Sequence, residues 1–351
     1  MSTIAPKRSE HNPLGLEGIA CLEHGAPSRE GQDAIGRLFR ALGFSRTRRH
    51  ATRDIELWAQ HGIRFLVNRD PSSFAATFAG AHGPSIPSMA WKVADPERAL
   101  REAVRRGAKE VVGDLVFGGA PAIEGIGGSR IYLVDTRGSW EERYYVALER
   151  PERVADRGFL TIDHLTNNVP KGTLGEHRAF YREVFGFEDV RTFEIRGRST
   201  GLTSYALRSP CGTFCIPINE GSEDKSQIEE YLREYRGPGV QHVALLTRDL
   251  LASLEGLRDA GVETLDIDPT YYEEAFARVP NVREDRDTIR SKSVLVDGDE
   301  EGYLLQIFTQ NVIGPIFFEL IQRENHLSFG EGNFGALFRS IERDQERRGA
   351  L

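Results

Sequence analysis

The sequence predicts an α+β fold of two tandem domains, each made of paired βαβββ-type units, with a helix at the C-terminal end. Three observations predict it. Strand-like runs alternate with helix-like runs, the order of those runs repeats once along the chain, and a charged stretch separates the two copies.

Residues 1–12 (MSTIAPKRSEHN) are polar and lack the apolar stretch of a signal peptide, so a disordered tail and a cytoplasmic protein are expected. The N-terminal domain (13–150) opens with the strand-like LEGIACLEHG. A helix follows in DAIGRLFRALGF, where Ile35, Leu38, Phe39 and Leu42 recur at three- and four-residue steps. Its second unit opens with SMAWKVADPERALREAVRRGAKEV, a strand, a helix and a glycine stop. The charged RPERVADR (150–157) supplies the linker expected at 151–157 and leads into the C-terminal domain, 158–351. There GFLTIDHLTNNV and GEHRAFYREVFGF copy the first opening, with Phe180, Val184 and Phe185 on the helix stripe. Both helices end in Gly-Phe, as suits a glycine cap. QHVALLTRDLLASLEGLRDAGVETL copies the second opening, and FFELIQRE parallels RYYVALER. The final segment, GNFGALFRSIERDQERRG, is an amphipathic helix with Phe334, Leu337, Phe338 and Ile341 at the i, i+3, i+4, i+7 spacing.

Composition narrows the function. The net charge of −8 arises from 45 basic and 53 acidic residues without a concentrated basic surface, which argues against a nucleic-acid partner. No apolar run is long enough to span a membrane. The three cysteines, Cys21, Cys211 and Cys215, form no disulfide framework, and PCGTFC reads as a turn entering a strand. The glycine-rich 118–128 stretch lacks the Gly-Lys-Ser/Thr ending of a phosphate loop and reads as a flexible loop. A small-molecule ligand is the remaining default.

Three metal-capable side chains sit mid-strand in the second half: His164 in TIDHLTNNV, His242 in GPGVQHVALLT and Glu319 in GPIFFELIQRE. Alternation gives each mostly apolar neighbours on its own face: Ile162 and Thr166, Val240 and Ala244, Phe317 and Ile321. They are spaced almost evenly, 242 − 164 = 78 and 319 − 242 = 77. Two imidazoles and a carboxylate form the facial triad typical of non-haem Fe(II) oxygenases. The alternative is three unrelated core residues, each satisfied by a local hydrogen bond. Aligning the halves sets Cys21, Ser88 and Val146 opposite the three, so the first copy keeps no ligand. Of the other histidines, His24, His50, His61 and His82 read as turn or loop residues, and His326, in the loop after FFELIQRE, competes as a ligand.

From about Asn12 to Arg348 the chain resembles 4-hydroxyphenylpyruvate dioxygenase, of the vicinal-oxygen-chelate superfamily, through TGLTSYAL, IPINE, KSQIEEY, GVQHVALLT, YLLQIFTQ, FFELIQR and FGEGNFGALF. The resemblance implies a vicinal-oxygen-chelate fold of open β-barrels and Fe(II) held by His164, His242 and Glu319. It implies an aromatic 2-oxo acid, 4-hydroxyphenylpyruvate, that reacts with O2 to give homogentisate and CO2 by oxidative decarboxylation, ring hydroxylation and side-chain migration. Ser204, Asn219, Gln227 and Gln306 fall on the family's polar catalytic positions. Without the resemblance, Asn219 reads as a strand cap, Gln227 as a helix-surface residue and Gln306 as outward-facing. Phe308, Phe317, Phe329, Asn333 and Phe334 match substrate-pocket positions. Gln241 matches one too, although alternation points it away from His242. The C-terminal helix is implied to be a lid, and a homo-oligomer, dimer or tetramer, is common in the family.

Three rival readings remain. Hydroxymandelate synthase shares substrate, metal and ligands but carries a smaller aliphatic residue where this chain has Phe334. A non-catalytic binding protein on the same scaffold makes the triad incidental. An extradiol dioxygenase would open a catechol ring instead.

Overall fold

Two curled mixed sheets, one per half, form open half-barrels. The structure is a computed structural model and describes residues 8–136, 139–197 and 200–348, the side chain of Arg348 excepted. The first half runs β1 (Leu16–Gly25), α1 (Arg29–Ala41), β2 (Ser45–His50), β3 (Ile55–Gln60), β4 (Ile63–Asn68), α2 (Phe74–His82), β5 (Ser85–Val93), α3 (Pro96–Arg105), β6 (Glu110–Val111), β7 (Ala122–Glu124), β8 (Arg130–Asp135), α4 (Trp140–Tyr144) and β9 (Tyr145–Glu152). The second runs β10 (Phe159–Val169), α5 (Leu174–Phe185), β11 (Glu188–Arg196), β12 (Gly201–Arg208), β13 (Cys215–Gly221), α6 (Gln227–Tyr235), β14 (Gly239–Thr247), α7 (Leu250–Asp259), α8 (Tyr271–Arg278), α9 (Arg286–Ser291), β15 (Leu295–Gly298), β16 (Tyr303–Phe308), β17 (Phe317–Glu324) and α10 (Phe334–Arg348). The four βαβββ units expected from the repeat are present. Among the described residues, no helix is long and apolar enough to cross a membrane.

Local chemistry explains why the units recur. The helices after β5 and β14 begin alike, with Asp95 accepting from Arg98 N and Asp249 from Ala252 N, each at 3.0 Å; such caps satisfy N–H groups that a helix leaves unpaired. Gly186 closes α5 at φ 79°, a left-handed conformation that glycine adopts without steric cost.

Sheet order shows the pseudo-repeat and corrects part of its alignment. The first sheet is ordered β6-β7-β8-β5-β1-β4-β3-β2-β9 and the second β11-β12-β13-β10-β14-β17-β16-β15. The counterpart of β17 is therefore β8, which runs parallel to β5 as β17 does to β14. β9 is an addition at the sheet edge, antiparallel to β2. Glu319 lies opposite Ala244 and Tyr132 opposite Ala90, so Tyr132, not Val146, occupies the position of Glu319. Cys21 and Ser88 keep their assignments, since Cys21 pairs with Ala90 as His164 pairs with Ala244.

Other expectations shift as well. Residues 1–7 of the tail lie outside the described residues; beyond them Ser9 N donates to Pro210 O at 2.9 Å, and Asn12 brackets Leu16 with two hydrogen bonds of 2.8 Å. The 118–128 stretch is not simply a loop, since it contains β7. Within it Gly127, at φ 62°, presses against the Pro238 carbonyl of the second half, leaving no room for a Cβ. His24 lies in β1 instead of a turn, buried between Phe39 and Phe65 with ring centroids 4.9 and 5.0 Å away. Burial pushes its pKa down to about 3, so the ring is neutral. His50 ends β2 and His82 ends α2.

One continuous core joins the halves. Trp91 of β5 packs on Phe185 and Phe214 of the second half at 4.6 and 5.5 Å, and Phe65 reaches Phe318 at 6.1 Å. The first barrel's interior is filled by Phe117, Tyr132, Trp140 and Tyr145 around Cys21. Glu23 shares this interior, paired across the sheet with Ser88 and hydrogen-bonded to Ser88 and Asn68.

Burial raises the Glu23 pKa to about 7, against the opposing pull of the Ser88 and Asn68 hydrogen bonds. Between the unfolded value of 4.5 and about 7, the folded chain holds a proton that the unfolded chain has lost. Stability therefore falls as pH rises through this window. Glu23→Gln is permanently neutral and is expected to gain roughly 3 kcal/mol over wild type at pH 8, with no gain at pH 4. Thermal unfolding of both proteins at the two pH values measures the difference.

Candidate metal centre and cavity

The three candidate ligands come from neighbouring strands in the middle of the second sheet, β10, β14 and β17. In register, His164, Ala244 and Glu319 form one cross-strand row, and Thr166, His242 and Phe317 another. Ala244 between His164 and Glu319 is small, so the space above the middle strand stays open. His242 reaches into it from the adjoining row. His164 Nε2 lies 3.0 Å from Glu319 Oε2, and His242 Nε2 lies 3.4 Å from the same oxygen. All three are buried, and their ligand atoms lie within 4.8 Å of one another. This is the one such group among the described residues. His326 points elsewhere, its Nδ1 3.7 Å from Asp299 Oδ2. The three cysteines are free and outside the group.

Two β-bulges orient the imidazoles. On β10 the register skips Asp163, and on β14 it skips Gln241. A bulged residue escapes strict alternation, so each reaches the histidine that follows it. Asp163 Oδ2 lies 2.8 Å from His164 Nδ1, and Gln241 Oε1 lies 3.0 Å from His242 Nδ1. Strand alternation had pointed Gln241 away from the site; the bulge turns it in. With an acceptor at each Nδ1, the proton of a neutral ring stays there and Nε2 presents a lone pair inward. Asp163 is held in turn by Arg323, whose Nε and Nη2 each donate at 2.8 Å.

Electrostatics show what the group lacks. Burial favours neutral His164, but the charge of Glu319 and the hydrogen bond to Asp163 outweigh it and raise its pKa to about 9. Burial likewise opposes ionised Glu319, yet His164 and His242 hold it down to about 2. Burial and the charge on His164 keep the pKa of His242 low. A buried carboxylate here takes its compensating charge from a proton on His164. A divalent cation supplies that charge with the proton gone, and the donor set of two imidazole nitrogens and one carboxylate oxygen fits it.

The triad opens into a cavity. Ser204, Asn219, Gln227, Gln241, Gln306 and Asn333 line it, as do Phe308, Phe317, Phe329 and Phe334. The pocket side chains implied by the resemblance thus line one space, whereas His326 does not. The readings of Asn219 as a strand cap and Gln306 as outward-facing do not hold; Gln227 is a half-buried helix residue that also borders the cavity. Asn219 and Ser204 face each other across β13 and β12, Gln227 begins α6, and Gln306 Nε2 donates to Glu319 Oε1 at 2.8 Å. Phe317 stacks on His242 at 4.8 Å, and Phe334 meets Phe193 edge-on at 5.0 Å.

Leu337, Phe338 and Ile341 of α10 cover one side of the cavity. The helix is fastened by polar contacts. Glu342 accepts from Thr200 N and Oγ1 at 3.1 Å, and Gln345 donates to Glu230 at 2.7 Å. Sequence reasoning missed Phe193, Ile195, Leu202 and Pro217 in the lining, and Asp163 and Arg323 behind His164. Thr166 was legible through its alternation with His164. Phe193 and Ile195 lie on the edge strand β11, whose charged residues conceal its inner face.

Known proteins resemble this chain throughout. The family model described as "Hydroxyphenylpyruvate dioxygenase, HPPD, N-terminal" matches residues 10–149, and "Glyoxalase/Bleomycin resistance protein/Dioxygenase superfamily" matches 161–306. Protein MelA of Shewanella colwelliana is 52% identical, covering 98% of this chain and 99% of its own. The 4-hydroxyphenylpyruvate dioxygenase of Pseudomonas aeruginosa is 43% identical over 100% of both chains. Among solved structures, a mutant of 4-hydroxymandelate synthase from Streptomyces coelicolor superposes with a TM-score of 0.80 at 27% identity, covering 94% of this chain and 99% of that one. A xylose isomerase-like TIM barrel/4-hydroxyphenylpyruvate dioxygenase fusion protein gives 0.81 at 27% identity, covering 97% of this chain and 54% of the fusion.

Proposed function

The chain belongs to the 4-hydroxyphenylpyruvate dioxygenase family, and from that premise we propose that it is an Fe(II) enzyme converting 4-hydroxyphenylpyruvate and O2 to homogentisate and CO2. The observation that carries the reading is the convergence of His164 Nε2, His242 Nε2 and Glu319 Oε2 at the wall of a largely aromatic cavity. Two imidazoles and one carboxylate without a thiolate suit iron, and they leave positions for exogenous ligands. When bound, the iron brings the 2-oxo acid and O2 together. The substrate contributes the 2-oxo acid itself, so no organic cofactor is required.

The chain's own residues bind and orient. Asp163 and Gln241 hold the Nδ1 protons, keeping both Nε2 lone pairs available. Ser204, Asn219 and Gln227 offer hydrogen-bonding groups to the phenol in walls otherwise supplied by phenylalanine. The seated α10 keeps water from the reacting centre. Residues 13–150, with Cys21, Ser88 and Tyr132 at the ligand positions and a filled interior, act as a supporting domain to the catalytic 158–351. Both oxygen atoms of O2 enter the products, one in the new carboxylate and one on the ring.

Hydroxymandelate synthase is the second reading, because a structure of that enzyme superposes well. It yields an isomer of homogentisate, oxygenated at the benzylic carbon. Phe334 favours ring hydroxylation, since its ring fills the wall against Phe193 where the resemblance gives the synthase a smaller aliphatic residue. Incubating Fe(II)-loaded protein with 4-hydroxyphenylpyruvate in air and identifying the aromatic product by NMR separates the two. Homogentisate is expected; 4-hydroxymandelate overturns the proposal.

A further inference from the structure

Tyr271, on α8, does not line the cavity, yet its hydroxyl is the far end of a buried hydrogen-bonded chain that reaches the triad. Tyr271 OH lies 2.5 Å from Asn333 Oδ1, Asn333 Nδ2 lies 2.9 Å from Gln306 Oε1, and Gln306 Nε2 lies 2.8 Å from Glu319 Oε1. Asn333, Gln306 and Glu319 are each no more than 3% exposed.

The chemistry of the groups fixes the direction of the chain. Ionised Glu319 only accepts, so Gln306 must turn its NH2 toward it. The Gln306 carbonyl then faces Asn333, which must donate with its own NH2. The Asn333 carbonyl in turn needs a donor, and Tyr271 has one proton to give. Val296 O lies 2.7 Å from the same hydroxyl and competes for its proton, but Asn333 Oδ1 is nearer. Val296 O also accepts from Arg278 Nη2 at 3.1 Å, whereas Asn333 Oδ1 has Tyr271 as its donor; Val296 N donates to the phenol oxygen at 2.8 Å.

The consequence falls on Glu319. Gln306 occupies Oε1, while Oε2 alone faces both histidines. We propose that Tyr271 is a positioning residue which, through Asn333 and Gln306, makes Glu319 offer one oxygen to the metal. A carboxylate free to turn offers two and takes a position needed by substrate or O2. The proposal rests on the reading that His164, His242 and Glu319 hold a divalent cation.

Co(II) titration of the metal-free protein, followed by visible absorption, tests it. Tyr271→Phe keeps the ring and removes the proton; it is expected to weaken Co(II) binding about 10-fold or more and to change the ligand-field spectrum. Tyr303→Phe is the control. It loses a hydroxyl bonded to Glu284 at 2.8 Å, off this chain, and is expected to keep wild-type affinity and spectrum whatever its melting temperature. Asn333→Ala is expected to match Tyr271→Phe, and the double variant to lose nothing further, because both break one chain. Wild-type affinity and spectrum in Tyr271→Phe, or a loss shared equally by Tyr303→Phe, overturns the proposal. Should Tyr271→Phe fail to fold, Asn333→Ala decides alone, and wild-type binding by that variant overturns it. If wild type binds no Co(II), the metal reading itself has failed.

Discussion

His242→Ala is expected to lose divalent-metal affinity by well over about 100-fold, more than the loss of a hydrogen-bonded supporter costs, and to lose turnover with it. Its apoprotein is expected to fold normally. His242 is the cleaner ligand to remove because burial lowers its pKa, whereas that of His164 is raised by the carboxylates beside it. His164 is different: without a metal its charge compensates Glu319, while Asp163 keeps Arg323, so His164→Ala leaves Glu319 buried without its counter-charge. That variant is expected to lose apoprotein stability as well as metal. Calorimetric metal titration together with urea unfolding of the two apoproteins separates binding from folding. Equal metal affinity in His242→Ala and wild type sinks the assignment.

The second large effect is expected at Asp163, which no sequence motif singled out. Its carboxylate receives two hydrogen bonds from Arg323 and lies against His164 Nδ1, and it is held well below the usual carboxylate range despite burial. Asp163→Ala leaves Arg323 buried without its counter-charge, at an expected cost of about 3–5 kcal/mol in apoprotein stability. It also removes the acceptor that fixes the His164 ring, so metal affinity is expected to fall about 10–100-fold. Asp163→Asn retains an acceptor oxygen and is expected to recover more of the metal affinity than of the stability. Denaturant unfolding and metal titration on the two variants measure each effect. If Asp163→Ala binds metal like wild type, the pair is only structural.

Which parts of this site could be read from the chain follows from what local sequence encodes. Strand alternation and even spacing brought out His164, His242 and Glu319, because each lies mid-strand among apolar neighbours and the structure keeps those strands adjacent. Phe334, Leu337, Phe338 and Ile341 were legible because a helix repeats its covered face every three or four residues. The bulges at Asp163 and Gln241 were not legible, since a skipped residue is a property of two paired strands and not of either alone. The same limit misassigned Val146. YVALER has the pattern of FELIQR, but the pattern does not say which neighbour a strand takes, and β9 went to the sheet edge. The helices α8 and α9 interrupt the fourth unit with no counterpart in the second, so comparing halves gave no reason to look at Tyr271.

One metal, held by three side chains, is expected also to hold the substrate. A crystal structure of the protein loaded with Fe(II) and 4-hydroxyphenylpyruvate without O2 tests it directly. The expected result is one iron about 2 Å from His164 Nε2, His242 Nε2 and Glu319 Oε2, with the keto and carboxylate oxygens of the substrate on the same ion. Iron bound elsewhere, iron bound without all three ligands, or substrate bound away from the iron contradicts it.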